Sequence, residues 1–107
     1  MAARQVQLRS LAASDIDAVV DHYRREGGDA LALDFIETLE QAVARIRRSP
    51  QVGSPRFAYE LGIPELRVLS TRRFPYLIFY VPYDDRVDVW RVLHSRRDIL
   101  NTLAEDH

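Results

Sequence analysis

The chain has 107 residues, 47% of them apolar and 29% charged, with a formal net charge of −1; this fits one domain over 1–107 with one modest core and excludes a disordered chain. There is no cysteine and the three histidines, His22, His94 and His107, are scattered, so disulfides and thiolate ligands are excluded and neither a metal nor a cofactor is expected. The near-neutral charge speaks against a generic nucleic-acid binder. The N-terminal MAARQVQLRS lacks a secretory apolar run and the longest apolar stretch, Tyr76 to Val81, is too short to cross a bilayer, which makes the cytoplasm the expected location and a membrane contact unexpected.

Val6 and Leu8 alternate with Gln5, Gln7 and Arg9, the period of a short half-buried strand. Ser10 or Ser14 then caps a helix, Ser14 and Asp17 having the spacing of a capping box. Its apolar positions Ile16, Val19, Val20 and Tyr23 fall at i, i+3, i+4 and i+7, and Gly27-Gly28 ends it. Asp29 caps a second helix, in which Ala32, Phe35, Ile36, Leu39, Val43 and Ile46 keep helical spacing. Arg45, Arg47 and Arg48 complement the dipole of its last turn, and Pro50 prevents continuation. Two helices so closely joined must lie antiparallel.

SPQVGSPRFAYELGIPE, with three prolines and two glycines, reads as a connecting loop. ELRVLST, YLIFYVP and VDVWRVLH then read as strands joined by the turns RRFP and YDDR, an antiparallel meander, and Asp98 to Ala104 as a short final helix. The order β-α-α-β-β-β defines an α+β fold in which a helical hairpin packs on one face of a small, mainly antiparallel sheet.

The middle strand, Tyr76 to Val81, is apolar on both faces, so both should be covered. Leu77, Phe79 and Val81 are expected under the helices, with Trp90 also in the core on that side. Tyr76, Ile78 and Tyr80 are expected on the open side, because a tyrosine hydroxyl tolerates an interface. Two covers for the open side are equally compatible with the pattern: another chain, or the loop from Ser49 to Glu65.

Polar chemistry concentrates in WRVLHSRRDI, residues 90 to 99. From Arg56 to Arg97 there are eight arginines against five acids, and in the remainder seven against eleven. All fifteen basic residues are arginine, which excludes lysine-dependent chemistry. Arg91, His94, Arg96 and Arg97 are the candidate contact residues, since the planar guanidinium fork binds carboxylates and phosphates at two points. The alternatives are structural: His94 bonded to a carbonyl or to Asp98, Arg96-Arg97 a solvated edge before a helix capped by Asp98, and Arg72-Arg73 a solvated turn.

The element order, the helix-ending SP, the strand LIFYVPYDD with its Tyr80, and RVLHSRRDI from Arg91 through Asp98 resemble the RelE/ParE superfamily of bacterial toxin–antitoxin modules, closest to its ParE branch. The resemblance implies a toxin neutralised by a co-encoded, ParD-like antitoxin whose C-terminal segment wraps the helices and sheet. Val20, Tyr23, Phe35, Leu39, Tyr76, Ile78 and Tyr80 are its expected contacts. ParE-like toxins act on DNA gyrase, halting it with its DNA cleaved, whereas RelE-like relatives cleave mRNA in the ribosome, and a shared fold does not choose between them.

RNA cleavage by a 2′-hydroxyl needs a base, an acid and cations. RelE-like enzymes supply these mainly with lysines, arginines and a C-terminal tyrosine. This chain has no lysine and its tail, DILNTLAEDH, no tyrosine, leaving His94 and Tyr80 as the available base and acid. A gyrase inhibitor needs no catalytic residues, and the resemblance then places Arg91, His94, Arg96 and Arg97 where the sheet meets gyrase or its DNA. A third reading is a non-toxic module that binds the antitoxin only to repress its own operon.

Overall fold

The computed structural model describes residues 4–106; His107 lies outside them. Strand β1 (Gln5–Leu8) leads into helix α1 (Ser10–Arg48), followed by α2 (Ala58–Leu61), β2 (Arg67–Ser70), β3 (Tyr76–Pro82), β4 (Arg86–His94) and α3 (Ile99–Glu105). The short α2 forms inside the segment expected to be a loop.

Helix α1 is a hairpin of two arms. A straight helix of its length would extend about 58 Å, whereas the longest dimension of the molecule is 39 Å. The break is at Gly27-Gly28, where Gly28 has φ +74° and ψ −171°, a conformation only glycine adopts readily. The fold-back brings the rings of Tyr23 and Phe35 to 5.6 Å, against about 18 Å along one straight helix. The start of α1 differs from expectation: Arg9 occupies the N-cap position with no side-chain cap, and Ser14 and Asp17 lie inside the helix. The Arg9 N–H donates to Val89 O at 2.9 Å. The end of the β1 ladder thus sets the first helical residue.

The sheet runs in the order β1-β4-β3-β2, with β1 parallel to β4 and the other pairs antiparallel. Its two apolar faces carry separate cores. Tyr76, Ile78 and Tyr80 pack under the hairpin with Val19, Phe35, Leu39 and Ile46, and Leu77, Phe79 and Val81 pack with Ala58, Leu66, Ile99 and Leu103. This reverses the expected sides of β3. A strand apolar on both faces carries no signal of parity, and a one-residue shift exchanges its faces completely. Nor does tyrosine need an interface here, because the Tyr80 hydroxyl donates to Pro50 O and accepts from Gly53 N, both at 2.8 Å, inside the core. A Cβ at Gly53 would stand 2.7 Å from that hydroxyl, so only glycine fits.

The second face is covered by α2 and α3, the first of which belongs to the Ser49 to Glu65 segment. Chain rather than partner is therefore the cover seen here. Trp90 packs on this second face, not under the hairpin. It is the extra residue of a β-bulge: Phe79 pairs with Arg91 and Tyr80 with Val89. The bulge returns Val92 to the hairpin side, three residues after Val89 instead of two.

Candidate functional site

Beyond Val89 this edge of β4 has no strand partner among the described residues, and the first arm of α1 lies against it. There the Asp15 carboxylate accepts the Val92 N–H at 2.9 Å and holds the Arg91 guanidinium at two points, 2.7 and 2.9 Å. Asp106, just past α3, accepts a further Arg91 bond at 3.0 Å. Arg91 is 8% exposed, and the Asp15 bonds foremost, with Asp106 behind them, raise its pKa further against the opposing effect of burial. One residue thereby ties the hairpin, the sheet and the C-terminal helix together. The arginine foreseen as a target contact is consumed within the fold, and a molecule touching this surface meets its neighbours instead. Asp15 escaped the sequence reading because it borders the apolar stripe of its helix without breaking the periodicity.

Past the clamp, β4 runs into a tight turn. His94 Nδ1 accepts the Arg96 N–H at 3.0 Å, and the Arg97 N–H returns to His94 O at 3.0 Å. An accepting Nδ1 is unprotonated, so a neutral ring carries its proton on Nε2. The ring stands edge-on to Tyr76 with centroids 5.3 Å apart. His94 thus shapes the turn that presents Arg96 and Arg97, both exposed and without a carboxylate partner among the described residues. Asp98 accepts from Asn101 N and caps α3 as expected. A hollow of about 230 Å³ beside the turn is lined by Asp15, His22, Tyr76, Val92, His94 and Arg97. His22, which no sequence signal singled out, reaches it from the first arm.

The expected antitoxin contacts divide differently. Phe35, Leu39, Tyr76, Ile78 and Tyr80 are at most 8% exposed and belong to the core of the chain itself, while Val20 and Tyr23 remain half-buried at its margin. Burial raises the phenol pKa of Tyr76, with Tyr23 adding to it; burial also raises that of Tyr80, opposed by the Gly53 hydrogen bond and by Arg67. Tyr80, with both hydroxyl bonds internal, is not available as an acid for a substrate. Arg73 has φ +70° and is held by Asp34 at 3.0 Å, whereas Arg72 is exposed. Among the described residues no group of three His, Asp or Glu is placed to hold a metal, and no helix is long and apolar enough to cross a membrane.

A helical hairpin laid on a four-stranded mixed sheet whose last strand ends in an arginine-rich turn is a defined architecture, and it has a solved counterpart. The structure titled "Chromosomal ParDE TA system from P. aeruginosa" contains a chain that superposes with a TM-score of 0.71, at 22% identity, over 85% of this chain and 95% of that one. Residues 6–99 match the family model described as ParE toxin of type II toxin-antitoxin system, parDE. The chain therefore belongs to the ParE toxin family. No curated protein matches it.

Proposed function

We propose that this ParE-family chain inhibits DNA gyrase in the cytoplasm by binding, that His94, Arg96 and Arg97 meet the target, and that a ParD-like antitoxin neutralises it. The observation that carries the reading is the turn after β4: two exposed guanidinium groups, without a carboxylate partner among the described residues, held out by His94 on a strand end that Arg91, Asp15 and Asp106 lock. An inhibitor that works by binding needs such a preorganised charged surface and no acid–base pair. Arg91 serves it from within as a positioning residue. The messenger-cleaving alternative loses its acid, because Tyr80 is fully buried and both its hydroxyl bonds are internal. For the antitoxin, a groove of about 330 Å³ between β1 and α1, bordered by Val6, Leu8, Ile16, Leu39 and Val43, offers apolar surface that an amphipathic tail would cover. Ile78→Asp does not test that contact, since an unpaired carboxylate at this fully buried site would unfold the chain.

The test is gyrase supercoiling of relaxed plasmid with the purified chain titrated in. Lost supercoiling with accumulation of cleaved DNA is expected, and Arg96→Ala/Arg97→Ala should lose most of the inhibition while remaining folded. Inhibition undiminished in the double variant would remove these arginines from the target surface. A folded chain without effect on gyrase would overturn the reading, and messenger cleavage in a ribosome assay would then direct attention to His94.

A further inference from the structure

A second arginine cluster lies between the second arm of α1 and the end of β2. Along the second arm of α1, Thr38, Gln41, Arg45 and Arg48 recur at steps of three, four and three residues and so share one helix face. Opposite them stand Ser70, at the end of β2, and Arg72, in the turn that follows. Together they line a concavity of about 380 Å³ that also takes in Ala42 and Ala44, with no acid among the described residues that line it. The ion pairs among the described residues all use arginines elsewhere: Arg9, Arg24, Arg73, Arg86 and Arg91 have carboxylate partners. Arg45, Arg48 and Arg72 have none among the described residues.

Three like charges converging on one concavity repel one another, and their full charges outweigh the roughly half negative charge of the helix C-terminus beside them. A polyanion relieves that repulsion. The lining selects among polyanions: hydroxyl and amide donors flank the guanidinium groups, which suits phosphate oxygens. No aromatic ring on which a base could stack lies among the described lining residues. No large apolar side chain forms a pocket for a peptide anchor. We infer that this concavity is a docking site for the phosphate backbone of a nucleic acid, engaged without regard to base sequence. It reconciles a local cationic surface with a net charge of −1, because the acids that balance the chain lie elsewhere. The inference is independent of the gyrase reading, since DNA alone is the probe.

The test is binding of the full chain to a fluorescently labelled 20-base-pair duplex, followed by anisotropy over a range of salt concentrations. Three phosphate contacts contribute about −2.7 to the slope of log K against log salt. Arg45→Gln/Arg48→Gln/Arg72→Gln should make the slope shallower by about that amount and weaken low-salt binding at least tenfold, while the corresponding triple lysine variant keeps the wild-type slope. A second duplex of unrelated sequence should bind equally well. Thermal unfolding of both variants checks that the changes are not those of a misfolded chain, and the single variants Arg48→Gln and Arg72→Gln, each expected to make the slope shallower by about 0.9, carry the comparison if the triple glutamine variant does not fold. An unchanged slope in a folded glutamine variant overturns the proposal. Displacement of the duplex by polyglutamate at equal charge assigns the concavity to an acidic protein segment instead, and displacement by pyrophosphate at equal phosphate assigns it to a small anion.

Discussion

Arg91 and the Arg96-Arg97 pair are a few residues apart in one motif and meet opposite fates. Arg91 is 8% exposed and bonded to two carboxylates, Asp15 in α1 and Asp106 just past α3. Arg96 and Arg97 stand in solvent with no ion pair among the described residues. The bulge at Trp90 and the end of β1 make the difference, because they leave the β4 edge open at the place where Asp15 arrives. An arginine-rich stretch is thus not one functional unit: one member builds the platform and the others are displayed on it.

The sharpest way to break this comparison is to remove the inner arginine. Arg91→Ala leaves Asp15 buried without its cation, a change that costs about 3–5 kcal/mol. Each kcal/mol moves the melting temperature of a domain this size by roughly 4–8 °C. Calorimetry should therefore find a drop of more than about 12 °C; a smaller one would mean that the clamp contributes little and that Arg91 is available for other contacts.

A weaker probe is pH. The Arg91 guanidinium, its pKa raised further by Asp15, stays charged in alkali, whereas Tyr76 and Tyr80 are phenols raised by burial. Unfolded tyrosine ionises near pH 10. Above that pH the unfolded chain binds fewer protons than the folded one, so stability is full below about pH 10 and falls as pH rises toward the folded values. The urea midpoint should be level from pH 7 to 9 and decline beyond 10, less steeply in Tyr76→Phe. A level profile to pH 11 would contradict the burial of these phenols beneath the hairpin.

The smallest effect is expected at the outer pair. Arg96→Ala/Arg97→Ala removes no internal ion pair and should change stability by no more than about 0.5 kcal/mol. A loss above 1 kcal/mol in urea unfolding would show these side chains to be structural after all, and their proposed part in gyrase inhibition would have to be judged against that defect.

What the amino-acid sequence determined by itself was whatever depends on local period and punctuation. Helical spacing from Ile16 to Ile46 with glycines in the middle predicts a hairpin, alternating and apolar runs separated by RRFP and YDDR predict the meander, and Asp98 predicts the last cap. Only the tertiary structure decided which side of β3 faces the hairpin, because that strand is apolar on both faces and its parity depends on register with its neighbours. The same holds for the arginines. A guanidinium is a candidate ligand until a carboxylate distant in sequence reaches it, and the separation of 76 positions between Asp15 and Arg91 is closed only by the folded chain.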